Sequence, residues 1–152
     1  MQWKLPKEWA RLKAGVGCPL CENVDAAEND FSHFVTNLPQ SVVRLPKNQF
    51  MRGWTTVVLK RHASELFELA PGERAGFWDD VSRVAQALYR IHRPAKINYC
   101  VWGNFVPHIH CHLFVRTFDD DPGQPIDQNA HEVYLKAKEY QGMISELQAH
   151  LK

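Results

Sequence analysis

Three histidines recur at every second position in NFVPHIHCHLF, the segment at residues 104–114. They are His108, His110 and His112, and they alternate with Ile109, Cys111 and Leu113. Side chains at alternate positions of a strand point to the same face. An extended segment would therefore group the imidazoles on one face and turn the apolar residues towards a core. Such imidazoles can bind a metal, transfer protons, or belong to a half-exposed strand without a chemical role.

One metal ion is a poor fit for all the histidines together. A strand rises about 3.3 Å per residue, so the Cα atoms of His108 and His112 would lie about 13 Å apart. Zinc–nitrogen bonds are only about 2.0–2.1 Å long, and the ring of His110 would obstruct the outer pair. At least one histidine therefore has another role. A neutral imidazole, with an ordinary pKa of about 6.5, can act as a nucleophile, a proton donor or a phosphate ligand.

A second group of potential ligands is the pair Cys18 and Cys21 in CPLC. This spacing is typical of half a metal site or of a redox pair. Residues 1–17 carry charges throughout and contain no apolar stretch, so we expect no secretory signal and a cytoplasmic location. A reducing cytoplasm disfavours disulfides. We expect the other cysteines, Cys100 and Cys111, to be packing residues on strands.

The composition limits the classes of partner. The chain has 152 residues, 18 basic and 17 acidic, with a net charge of +1. A protein that follows a phosphate backbone needs a concentrated basic surface, so we expect a small nucleotide at most and no nucleic acid polymer. No window of about 18 apolar residues is present, so we expect no membrane partner.

Apolar periodicity predicts an antiparallel sheet with helices. The strand candidates are FSHFVTNL, QSVVRL, WTTVVLK, AKINYCVW and HIHCHLFVR, the last two joined by a turn at Gly103 and Asn104. The helix candidates are PKEWARLK, ASELFEL, GERAGFWDDVSRVAQALYRIHR and a C-terminal helix at about 129–151. Strands grouped in hairpins indicate an α+β fold in a single domain over 1–152.

The segment from His108 to Phe114 matches the His-φ-His-φ-His-φ-φ motif of the histidine triad (HIT) family, where φ is apolar. The lead-in KINYCVWGNFVP and the segment GWTTVVLKRH also resemble this family, and the resemblance runs from about Cys18 to Arg116. It implies a HIT-like fold with a core at about 18–116. This fold has an antiparallel sheet of about five strands, a long helix packed on it and a C-terminal helix. The family is usually homodimeric.

The resemblance also implies an activity. Family members are nucleotidyl hydrolases or transferases, so we expect cleavage at the α-phosphate of a dinucleoside polyphosphate or a nucleoside phosphoramidate. Carried over by position, His110 would be the nucleophile, His112 would bind the phosphate and assist the leaving group, and His108 would complete the triad. The residues expected to contact the nucleotide are Asn98, Gly103, Asn104 and, at the ribose, Asn48.

In the zinc-bearing branch of this family, a Cys-x-x-Cys pair joins a corner histidine and the first triad histidine. The matching residues are Cys18, Cys21, His62 and His108. Four protein ligands close a zinc coordination shell, so the resemblance implies one structural zinc per chain.

One departure from the family pattern opens an alternative. Many members have a Gly-His pair before the central strand, where this chain has Gly53 and Trp54. Trp54 has one donor and no charge, so a nucleotide-binding sensor with little catalysis is a second hypothesis. A zinc-finger-like nucleic acid binder ranks below both, because the cysteines and histidines are widely separated and the chain lacks a basic surplus.

Overall fold

The structure is a computed structural model that describes residues 3–127 and 131–152. Its helices are α1 (Pro6–Lys13), α2 (Pro19–Glu22), α3 (Pro71–His92) and α4 (Ala137–Leu151), and its strands are β1 (Ser32–Asn37), β2 (Ser41–Pro46), β3 (Thr55–Leu59), β4 (Lys96–Cys100) and β5 (His110–Arg116). The strands form one antiparallel sheet in the order β1-β2-β3-β5-β4. The predicted α+β class, with five strands, a long helix and a C-terminal helix, is confirmed.

The helices α3 and α4 pack on one face of the sheet and enclose the main core. Apolar residues of α3 recur at helical spacing and are buried there: Phe77, Val81, Val84, Ala85 and Leu88. Pro71 begins this helix at a position that needs no backbone donor. Arg93 ends it in the left-handed region, at φ 46°, immediately before Pro94. No helix in the described part of the chain combines the length and hydrophobicity required to cross a bilayer.

Strand β5 separates the core from the histidines as the alternation predicts. Ile109, Cys111 and Leu113 are at most 2% exposed and belong to the main core. His110 and His112 lie on the opposite face and pair in register with Val58 and Thr56 of β3. The sheet therefore has an apolar face under the helices and a face on which imidazoles are grouped.

Two predicted connections are wrong in detail. Strands β4 and β5 are not joined by a tight Gly-Asn turn, because β4 ends at Cys100 and residues 101–109 form an irregular connection. Its Trp102 ring packs against His112, with centroids 5.3 Å apart, which draws the connection back over the sheet. The ASELFEL helix is reduced to a single 3-10 turn at Leu66–Glu68.

The C-terminal helix begins at Ala137, later than predicted. Residues 128–130, which include its predicted beginning, lie outside the described residues. The segment just before α4 is instead held in an extended form, because Tyr134 forms a β-bridge with Asn48 and the Gln49 amide donates to the Val133 carbonyl at 2.7 Å.

Candidate metal centre and active site

Four potential metal ligands meet where the N-terminal segment contacts the sheet. Cys18 immediately precedes α2 and Cys21 lies within it, so one helical turn points both sulfurs the same way. His62 lies three residues after β3, and His108 lies two residues before the first residue of β5. The Nδ1 or Nε2 nitrogen of each histidine and the Sγ of each cysteine supply a cluster whose ligand atoms all lie within 4.8 Å of one another.

The distances within this cluster suit a tetrahedral ion. The Nδ1 atom of His108 is 3.4 Å from Cys18 Sγ and 3.5 Å from Cys21 Sγ, and the Nδ1 atom of His62 is 3.3 Å from Cys21 Sγ. Zinc bonds of about 2.3 Å to sulfur and about 2.0–2.1 Å to nitrogen, at tetrahedral angles, separate neighbouring S and N ligands by about 3.5 Å. The four side chains therefore fit a zinc ion with little rearrangement.

In both histidines of the cluster, the ring nitrogen that faces away from the sulfurs, Nε2, is hydrogen-bonded to a backbone carbonyl. Nε2 of His108 donates to the Leu59 carbonyl at 2.7 Å, and Nε2 of His62 donates to the Lys13 carbonyl at 3.0 Å. Each Nδ1 lone pair therefore points towards the sulfurs, as metal-binding histidines require. Burial also lowers the pKa of His108 to about 4, which keeps the imidazole neutral.

His110 has the opposite arrangement of its ring nitrogens. Its Nδ1 contacts the His108 carbonyl oxygen at 2.5 Å. A carbonyl only accepts hydrogen bonds, so Nδ1 carries the proton and Nε2 keeps its lone pair. Among the described residues, the only fully buried side-chain nitrogen or oxygen without a partner is Nε2 of His33. The unbonded Nε2 of His110 therefore reaches accessible space. Burial lowers the pKa of His110.

His112 lies beside His110, with ring centroids 4.8 Å apart. Its Nδ1 is 3.2 Å from the indole nitrogen of Trp54 and 3.3 Å from Oγ1 of Thr56. Its Nε2 also has no bonded partner and is not among the buried unpartnered atoms, so it opens to the same space. Burial is the main cause that lowers the pKa of His112 to about 3, and the nearby His110 contributes a smaller part of the lowering.

The residues predicted to contact the nucleotide are distributed around this face. Asn98 pairs in register with Phe114 and so shares the histidine face, where its Oδ1 accepts from Arg116 at 3.4 Å. Gly103, at φ 67°, and the exposed Asn104 lie in the 101–109 connection. These roles stay predictions.

Asn48 has a structural partner outside the histidine row. Its Oδ1 accepts from the backbone amides of Phe50 at 3.1 Å and Val133 at 2.9 Å. The side chain therefore helps to hold the segment before α4, and the predicted ribose contact stays a prediction.

Sequence reasoning missed two neighbours of His112. Thr56 contacts the ring because β3 pairs with β5 in one register, and Trp102 contacts it because the 101–109 connection folds back. An alternating pattern in one strand carries no information on either contact. The one available signal was the apolar period of WTTVVLK, which predicts a strand but not its neighbour.

An α+β fold that places a row of histidines beside a Cys₂His₂ cluster defines a class of site. Comparison with known protein families then assigns the chain to one of them. The family model described as HIT domain matches residues 27–119, which is more than half of the chain. The chain therefore belongs to the HIT family. No curated protein sequence matches it.

Solved structures of histidine triad proteins share this fold. A protein from Bradyrhizobium japonicum is 28% identical, with a TM-score of 0.74 over 81% of this chain and 92% of that chain. A Zn-bound family member from Mycobacterium smegmatis is 22% identical, with a TM-score of 0.65 over 89% and 93%. The diadenosine triphosphate hydrolase of Plasmodium falciparum, in complex with Cyclomarin A, is 9% identical, with a TM-score of 0.61 over 78% and 75%. The latter two are likenesses of fold.

Proposed function

We propose that this protein is a hydrolase or nucleotidyl transferase that cleaves the link between a nucleotide's α-phosphorus and its leaving group. The substrate classes are dinucleoside polyphosphates and nucleoside phosphoramidates. The observation that carries the proposal is the contact between Nδ1 of His110 and the His108 carbonyl. It leaves a neutral Nε2 lone pair facing accessible space, which is what nucleophilic attack by an imidazole requires.

The reaction has two displacements at phosphorus. In the first, the Nε2 lone pair of His110 forms a P–N bond, and the bond from phosphorus to the leaving group breaks with its electron pair on that group. A phosphate chain leaves as an anion, whereas an amine also takes up a proton from solvent. The proton stays on Nδ1, hydrogen-bonded to the His108 carbonyl oxygen, and this oxygen stabilises the positive charge that develops on the ring. His112 acts as a hydrogen-bond donor to the phosphate and the leaving group.

In the second displacement, water attacks phosphorus and the P–N bond breaks. The electron pair returns to Nε2 of His110, and the water proton passes to solvent, which gives a nucleoside monophosphate. In a transferase, another acceptor takes the place of water. We assign Asn98, Gly103 and Asn104 to the phosphate and Asn48 to the ribose.

We assign a structural zinc to Cys18, Cys21, His62 and His108. The support is the near-tetrahedral spacing of their ligand atoms together with the backbone acceptors behind both imidazoles. Four protein ligands leave no open coordination position, so the zinc would tie the N-terminal segment to β5 and take no part in bond cleavage. A reducing compartment keeps cysteine thiols free of disulfides and available as ligands, and we propose the cytoplasm.

The test is a trapped intermediate. The protein is mixed with diadenosine triphosphate or adenosine 5′-phosphoramidate, quenched, and digested for mass spectrometry. We expect an adenylyl adduct on the peptide that contains His110, together with AMP in the supernatant. An adduct on another residue, or AMP formation that persists in His110→Ala, would refute the assigned nucleophile.

We also propose that the protein is a homodimer that pairs through β4. This strand is an edge of the sheet, and exposed large apolar side chains lie on it or in the connection that follows it: Tyr99, Val101, Trp102 and Phe105. Light scattering should give about twice the chain mass of 17.6 kDa. Val101→Glu should give a monomer, whereas Phe67→Glu, on the exposed 3-10 turn, should not. A parent protein of single-chain mass contradicts the dimer.

The sensor hypothesis is kept because Trp54 occupies a position where many family members have a histidine. It predicts that the protein binds AMP with measurable affinity but gives neither adduct nor product. The same quench experiment, combined with calorimetric titration of AMP, separates the sensor from the enzyme.

A further inference from the structure

Trp54 contacts His112 in a way that decides which nitrogen of that imidazole carries the proton. Its indole Nε1 lies 3.2 Å from Nδ1 of His112. An indole nitrogen only donates, so Nδ1 of His112 must accept, and the proton of the neutral ring lies on Nε2. The hydroxyl of Thr56, 3.3 Å from the same nitrogen, can donate or accept and so does not select between the two forms.

The indole is held firmly enough to impose this choice. Trp54 is only 7% exposed, and its ring stacks on Phe114 with centroids 5.2 Å apart and an interplanar angle of 25°. The Gln49 side chain fixes the backbone on both sides, since its Nε2 donates to the Trp54 carbonyl at 3.0 Å and its Oε1 accepts from the Gly53 amide at 2.9 Å.

Neighbouring imidazoles therefore present opposite functions to the same space. His110 exposes a lone pair on Nε2, because its proton is on Nδ1 at the His108 carbonyl. His112 exposes an N–H, because its Nδ1 accepts from Trp54. A neutral ring in this form can hydrogen-bond a leaving group. It cannot release a full proton, because deprotonation of a neutral imidazole would give an imidazolate, which does not form near neutral pH.

We infer that Trp54 is a positioning residue that holds His112 as a neutral Nε2–H donor and thereby selects leaving groups that depart without protonation. Phosphate chains are such leaving groups, because they leave as stable anions, whereas an amine must take up a proton as the P–N bond breaks. This inference rests on the proposed function for its kinetic part. It narrows the substrate class to phosphoanhydrides, with diadenosine triphosphate as the probe.

The first test needs no turnover. In protein labelled with ¹⁵N at histidine and tryptophan, long-range ¹⁵N–¹H spectra should show His112 protonated at Nε2, with a through-hydrogen-bond coupling between its Nδ1 and the Trp54 indole. Thr56→Val should retain both signals. Trp54→Phe keeps the ring stack but removes the donor, so the coupling should vanish and Nδ1–H should become populated. A parent His112 protonated at Nδ1 overturns the inference, as does a Trp54→Phe ring that stays entirely in the Nε2–H form.

The second test is kinetic. The parent should cleave diadenosine triphosphate with a kcat/KM about 100-fold or more above that for adenosine 5′-phosphoramidate. Trp54→Phe should lower kcat for the anhydride by about 5-fold to 10-fold, the effect of one hydrogen bond. The ratio of kcat/KM for diadenosine triphosphate to kcat/KM for adenosine 5′-phosphoramidate should fall by a similar factor. Trp78→Phe, a partly buried indole on α3, is the matched control and should change neither.

The kinetic outcomes separate the two proposals. A parent that prefers the phosphoramidate, or a Trp54→Phe preference equal to that of Trp78→Phe, overturns the role of Trp54 while hydrolysis itself stands. Cleavage of neither substrate defeats the proposed function, and the NMR spectra then still decide whether Trp54 sets the protonation of His112.

Discussion

The histidine row consists of His108 at one end and of His110 and His112 at the other. The three residues are evenly spaced in the sequence, but the surroundings of the two ends differ. At one end, both ring nitrogens of His108 are engaged, Nε2 by the Leu59 carbonyl and Nδ1 by the cysteine sulfurs. At the other end, His110 and His112 engage only Nδ1 and leave Nε2 facing accessible space. One pattern of residues thus produces a closed site and an open site side by side.

The difference shows that carbonyl and indole partners, more than spacing, decide what each imidazole can do. A carbonyl behind Nε2 turns the Nδ1 lone pair of His108 towards the cysteine sulfurs, whereas a carbonyl behind Nδ1 turns the Nε2 lone pair of His110 towards accessible space. His108 also precedes β5, so its ring is not bound by the strand alternation that groups its neighbours. The closed end should therefore govern stability, and the open end turnover.

The largest expected effect comes from removing the nucleophile at the open end. His110→Ala should lower kcat/KM for diadenosine triphosphate by about 10³-fold or more, the order seen when an attacking group is lost. Zinc content by plasma mass spectrometry and the melting temperature should stay close to those of the parent. A large loss of zinc in this variant would contradict the separation between the two ends.

The second effect is at the closed end. Cys18→Ser, at a fully buried position, should reduce bound zinc from about one per chain to near zero. Loss of a structural zinc removes folding free energy, so we expect the melting temperature to fall by about 10 °C or more for a domain of this size. Cys100→Ser, outside the cluster, is the control. Unchanged zinc and stability in Cys18→Ser would remove the site.

Much of the difference between the closed and the open end was predictable from sequence. It depends on the local alternation of residues and on the lengths of metal–ligand bonds. Alternation in residues 108–113 predicted which side chains face the core, and bond lengths predicted that a single ion would not take the whole row. The resemblance supplied Cys18, Cys21 and His62, which the structure brings together with His108. The helical period of α3 likewise predicted its buried face.

The remaining features depend on contacts between distant segments. The Trp54 indole reaches His112 only because β3 and β5 pair in a particular register. Val133 and Tyr134 do not continue α4, because a loop at Asn48 and Gln49 takes up their backbone groups. Neither effect leaves a periodic signal in the sequence, so the helix boundary was predicted too early and the partners of His112 were missed.

A smaller effect is expected where the backbone positions the Trp54 indole. Gly53 has φ 95°, and an added Cβ would lie 2.8 Å from Nε2 of His92 and 2.9 Å from Cγ2 of Val115. Gly53→Ala should cost about 2–4 kcal/mol of stability through backbone strain and overpacking, with zinc retained. Gly142→Ala in α4, where a Cβ meets nothing within 4 Å, should leave stability equal or raised. Equal thermal unfolding curves for both variants would contradict the tight fit at Gly53.

The smallest expected effect comes from substituting Arg61, which is next to His62 in the sequence at the closed end. Arg61 donates to Glu73 through Nε at 2.7 Å and NH2 at 2.8 Å, but its side chain is 51% exposed. Exposed ion pairs contribute little, so Arg61→Ala should shift the melting temperature by no more than about 2 °C and leave zinc in place. The adjacent His62→Ala should instead release zinc, because it deletes a ligand whose Nδ1 lies 3.3 Å from Cys21 Sγ. If Arg61→Ala releases as much zinc as His62→Ala, this prediction is wrong. The metal would then depend on the conformation of the segment after β3 that contains both residues, and not on the His62 imidazole alone.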